Sequence, residues 1–115
     1  MDIETLRTFC KSLPATTEDI KWVKDLCFLV GGKMYCVAGL DGPFGVTLKV
    51  PDDEFEELLS REGIVPAPYL ARAKWIRVEN AAVFKKKEWE YYIRQSYELI
   101  RDKLTEKLKK QLKLQ

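Results

Sequence analysis

The chain of 115 residues has no histidine. That absence excludes Ser-His and Cys-His nucleophile pairs and takes away the side chain most often used to move protons near neutral pH. The three cysteines, Cys10, Cys27 and Cys36, show no C-x-x-C spacing, so neither a zinc site nor a disulfide framework is supported. No apolar run approaches the roughly 18 residues needed to span a bilayer. "MDIETLRTF" opens with acidic and helix-forming residues, where a secretory signal would be basic and then apolar. No carboxylate pair or phosphate-binding loop takes the place of the missing groups. Together these absences predict a cytoplasmic, non-catalytic protein with no cofactor, no metal and no membrane partner.

What is present suits one domain over residues 1–115, because 46% hydrophobic and 33% charged residues can close a single core without staples. The formal net charge of +2 conceals a division along the chain. Residues 1–71 carry 7 Lys and Arg against 12 Asp and Glu, whereas residues 72–115 carry 13 against 6. A basic C-terminal third hints at a polyanionic partner, although lysine-rich helices are more often simply solvated.

The apolar spacing of Ile3, Leu6, Phe9, Cys10 and Leu13 predicts an amphipathic first helix, with Asp2 as its cap and Pro14 just past its end. "LPATTEDIKW" reads as an ordered loop. "DLCFLV" and "KMYCVAGL" read as strands meeting at Gly31-Gly32, a two-residue turn whose positive φ angles glycine tolerates. A turn of only those two residues sets Val30 opposite Lys33, Leu29 opposite Met34, Phe28 opposite Tyr35 and Cys27 opposite Cys36. The two cysteines are then cross-strand neighbours, expected to stay reduced in a reducing compartment. In that register Leu26, Phe28, Val30, Tyr35 and Val37 share one side and Cys27, Leu29, Met34, Cys36 and Ala38 the other. Both sides are apolar, and each requires a cover.

"FGVTLKV" alternates, with Phe44, Val46, Leu48 and Val50 inward and Thr47 and Lys49 outward. "PDDEFEELLSREG" predicts a short helix begun by Pro51 and an acidic first turn and ended by Gly63. Residues 74–79 read as a strand, and the three-and-four spacing from Trp89 to Leu112 predicts one long helix from about Lys87 to Leu112 whose last two turns project from the core. The order is α-β-β-β-α-β-α. The expected class is α+β: an antiparallel sheet, a three-stranded meander plus a later strand, packed with helices that include a long C-terminal one. There is no internal repeat and no low-complexity segment.

"LPATTEDIKW", "VGGKMY", "KWIRVE" and "SYELIRDKL" occur in that order along nearly the whole chain, and in this the sequence resembles the MmcQ/YjbR family of small bacterial proteins. The resemblance implies an α+β domain similar in fold to secretion chaperones, with a proposed "double wing" that straddles a DNA duplex. Here the glycine hairpin with Lys33 and the segment around Arg72 and Trp75 correspond to the wings. Where the family carries histidine before the tryptophan, this chain has Lys74, which keeps a positive charge but removes an acid-base group.

The reading that follows is a non-catalytic binding module with weak, sequence-independent DNA binding through a basic surface. Lys33, Lys49, Arg72, Lys74, Arg77, Lys85, Lys86 and Lys87 are the candidate phosphate contacts, and Trp75 or Tyr69 is the candidate stacking residue. Core packing is the competing role for Trp75. The sequence pI near 8.4 is below that of a dedicated duplex binder. The alternative is a protein-interaction module, dimerising or peptide-binding, that uses an apolar sheet face.

Overall fold

The computed structural model describes residues 1–114. An all-antiparallel sheet of six strands, in the order β1-β2-β3-β4-β6-β5, is built from β1 (Thr16–Lys21), β2 (Asp25–Val30), β3 (Lys33–Gly39), β4 (Val46–Lys49), β5 (Ile64–Pro66) and β6 (Trp75–Val78). Four α-helices, α1 (Ile3–Ser12), α2 (Asp52–Leu59), α3 (Lys86–Arg101) and α4 (Glu106–Gln111), and two short 3-10 helices, Ala71–Ala73 and Ala81–Val83, complete the fold of the described residues. The α+β class with an antiparallel sheet and a long helix near the C-terminus is as the sequence predicts. Four details of the prediction are not.

First, "TTEDIK" is an edge strand and not a loop, fully paired with β2 from Thr16 opposite Val30 to Lys21 opposite Asp25. Its polar residues lack an apolar alternation because an edge strand has water on one side. Second, Ile64–Pro66 adds a short strand beside β6, with its proline at the permitted edge position. Third, the terminal helix breaks after Arg101. Thr105 caps α4 by accepting from the Leu108 amide, and Leu104, Leu108 and Leu112 turn back onto the core, so these residues do not project.

Fourth, a β-bulge interrupts the hairpin. Leu29 faces Met34, but Phe28 faces Cys36 and Cys27 faces Val37, so Tyr35 is the extra residue and Cys27 and Cys36 are not opposite one another. The bulge sends Tyr35 and Cys36 to the same side. There the Tyr35 hydroxyl meets Thr16 Oγ1 at 2.9 Å and donates to the Cys10 carbonyl at 3.3 Å. Cys36 lies against Cys10, and its thiol is held well above the ordinary value by that hydrogen-bonding neighbour and by burial. All three thiols are free.

The bulge also corrects the two faces. Leu26, Phe28, Val30, Cys36 and Ala38 join Val46, Leu48, Ile76 and Val78 in one cluster with Leu6 and Cys10 of α1, Phe55 and Leu58 of α2, and Trp89, Ile93 and Tyr97 of α3. Every long helix therefore covers the same face. Cys27 and Leu29 are buried but stand outside that cluster, on a second face shared with Val37, Thr47 and Arg77 by the strand register.

Buried polar links fix α3 to the sheet. Ser96 Oγ accepts from the Lys49 amide at 3.0 Å and donates to the Tyr35 carbonyl at 2.5 Å. Tyr97 donates to the Pro14 carbonyl at 2.7 Å. Gly31 at the hairpin tip has φ +59, and a Cβ there would stand 2.7 Å from Leu104. Glycine suits the left-handed turn, and any side chain there would also displace the Leu104 methyls.

Candidate binding surface on the open face of the sheet

The β1–β2 connection is three residues, Trp22, Val23 and Lys24. Trp22 and Val23 both adopt left-handed backbone, φ 52 and 72, where bulky and β-branched residues are strained. Both are exposed, Trp22 at 68% and Val23 at 93%. Between β5 and β6, Tyr69 repeats the pattern with φ 65 and a fully exposed ring. Two large aromatics are therefore held out in water by backbone that glycine would adopt more easily.

They flank one groove. Its apolar half, about 470 Å³, is lined by Trp22, Met34, Val37, Pro68, Tyr69 and Leu70 together with Thr47 and Asp25. A polar recess of about 260 Å³ shares Asp25, Val37 and Thr47 and adds Lys24, Asp41 and Arg77. The Arg77 guanidinium is aimed there because Gly45 has no side chain, since a Cβ at that position would stand 2.5 Å from it. Its Nε lies 3.5 Å from Glu79. Beneath the same face, burial pushes the Cys27 thiol up from its ordinary value, with Lys21, Asp25 and Asp19 acting as lesser influences.

The basic candidates do not share one surface. The register sets Lys33, Lys49 and the start of β6 at one end of the sheet, together with Arg72, Lys74 and Lys103. Lys33 and Arg72 are exposed there. Lys49 is buried, its ammonium donating to the Ala73 carbonyl, and burial, followed by the nearby Lys103, lowers its pKa. Lys74 lies 5.0 Å over the Phe55 ring. Asp52 and Asp53 share a cleft with Lys49 and Lys103, so acids interrupt this basic end. Lys85, Lys86 and Lys87 are exposed at the other end of α3, which is 16 residues or roughly 24 Å long. Arg77 is on the open face, opposite Thr47 of β4, and belongs to neither group.

Trp75 is buried, tied by backbone hydrogen bonds to Ala67 and Leu70, so packing and not stacking accounts for it. Tyr69 has the exposure that stacking needs. Trp22 and Val23 escape a reading of the sequence, because only the hairpin register reveals that they occupy a turn where glycine would be expected. Among the described residues, no helix is long and apolar enough to cross a membrane.

A model of the YjbR family matches residues 11–99. A crystal structure of a Deinococcus radiodurans protein with a DUF419 domain superposes with a TM-score of 0.86 at 27% identity, covering 96% of this chain and 86% of that one. A crystal structure of a Pseudomonas syringae protein superposes at 0.73 and 22% identity, covering 88% of this chain and all of the other, and at that identity it speaks for the fold alone. No curated protein matches the chain.

Proposed function

Because the chain belongs to the YjbR family, whose sheet here has all its long helices on one side, we propose that it acts without catalysis, as a module that binds a protein partner on the other side. The observation that carries the reading is the pair Trp22 and Tyr69, exposed on strained backbone at the two walls of one groove. Strain of this kind persists only where the surrounding structure enforces it, and it gathers at functional sites. Exposed Trp and Tyr are also the residues that dominate protein interfaces, since they bury much area and lose little side-chain entropy. Capture from an extract of the native host is the test. Wild type should retain a discrete partner that the double variant Trp22→Ala, Tyr69→Ala loses while keeping its fold, and equal retention by both would remove the open face from consideration.

DNA binding is the second reading, supported by Lys33, Arg72, Lys74 and Lys103 at one end of the sheet. Lys49 is committed to Ala73, and Lys85 to Lys87 are at the far end. A footprint of about four phosphates therefore replaces the larger one expected from sequence, with a log-log salt slope near −3.6 on duplex DNA. Fluorescence titration at about 50 mM salt, where phosphate contacts are strongest, tests it. No binding to duplex or single strands would end this reading.

A further inference from the structure

We infer that the groove between Trp22 and Tyr69 receives one large apolar side chain from an extended peptide segment of a partner protein, with charged residues of both signs flanking that anchor. The inference rests on the open face being the binding surface, and it names what occupies it. Three observations carry it.

The first is the shape of the apolar half. Its volume of about 470 Å³ falls within the roughly 300–1,000 Å³ range of ligand sites, room for one large side chain together with the backbone that carries it. Its floor is Val37 and Thr47, directly paired on adjacent strands, and its walls are the Trp22 turn and the Pro68–Leu70 segment. An extended chain can cross such a floor and drop one side chain between the walls.

The second is charge. The recess continuous with the apolar half carries Lys24 and Arg77 beside Asp25 and Asp41, and Arg77 already faces Glu79. A polyanion running through the groove would meet two carboxylates for two cations, with no net attraction. A peptide with both signs finds a partner for each of its charges. The third is exposure: Trp22 and Tyr69 are both uncovered at the groove, so each has area to bury against an entering side chain.

The test is selection of random peptides of about twelve residues, long enough to cross the sheet, against the full chain, followed by NMR titration of the enriched sequences. The expected result is enrichment of a Trp, Phe, Leu or Met flanked by mixed charge, with binding that shifts the Val37 and Thr47 amides. Trp22→Ala and Tyr69→Ala should each weaken it about tenfold or more while the buried Trp89 indole signal stays put. Asp25→Lys should replace the basic flanking residue by an acidic one and leave the other flank as it was. Peptides that shift Val37 and Thr47 but ignore both aromatic substitutions would overturn the inference and leave the open-face reading standing. No enrichment, or ligands that shift only Lys33 and Arg72, would overturn both. Light scattering that finds a dimer whose formation shifts the Val37 and Thr47 amides would make a second copy the occupant, against the inference.

Discussion

The two faces of the sheet have opposite physical character, although both are built from the same strands. On the helix side, Trp89 is 1% exposed, donates from Nε1 to the Ala81 carbonyl at 2.9 Å, and meets Phe84 and Phe44 edge-on. On the open side, Trp22 is 68% exposed on left-handed backbone. One tryptophan has every atom satisfied by the fold, and the other contributes strain and an uncovered ring. The comparison teaches that stability and recognition are segregated by face, so that substitutions on the two sides should differ in sign as well as in size.

The sharpest break in that comparison is Trp89→Ala, which should lower stability by about 3–5 kcal/mol in chemical denaturation, the range for removing a buried aromatic. Trp22→Ala measured alongside should stay within about 0.5 kcal/mol of wild type, and similar losses for both would erase the distinction. Ser96→Ala follows, because it leaves the Lys49 amide and the Tyr35 carbonyl without their buried partner, a loss of about 1–3 kcal/mol. Val23→Gly should move the other way. Glycine relieves the left-handed strain at an exposed position, and after its own entropic penalty a gain of about 0.5 kcal/mol remains. A loss of stability there would show that the turn is not strained.

The smallest effect is pH dependence. The Glu18 carboxyl is held below its ordinary value chiefly by the hydrogen bond from Arg7, and that of Glu88 by the Lys85 amide. A depressed folded pKa contributes stability above the unfolded value and loses it as pH falls through the folded one. The denaturation midpoint should therefore decline gently below about pH 4.3. Water reaches both side chains, so the decline is shallow. Glu18→Gln should flatten it further.

Much of the fold is legible in the sequence because glycines, caps and apolar spacing report local demands directly. Gly31-Gly32 encodes its turn, Asp2 its cap, and the Trp89, Ile93, Tyr97 and Ile100 spacing its helix. What is illegible depends on partners distant in sequence. "TTEDIK" becomes a strand only because β2 offers it an edge, and the Tyr35 bulge arises where the ring reaches Thr16 and Cys10. Lys49 reads as outward by alternation, yet it is buried, with its ammonium on the Ala73 carbonyl and Trp75 opposite it on β6. Of the candidate surface, Tyr69 is visible as an aromatic among prolines, whereas the exposure of Trp22 follows only from the register of the hairpin.

The division of labour between the faces is tested most directly by a photo-crosslinking amino acid placed at Tyr69 and, in a second variant, at Tyr91, which is 45% exposed on α3 of the helix side. Irradiated in the native host, the Tyr69 variant should give a discrete protein adduct and the Tyr91 variant none. Adducts of equal yield from both positions, or adducts to nucleic acid from Tyr69, would contradict the assignment of the open face to a protein partner.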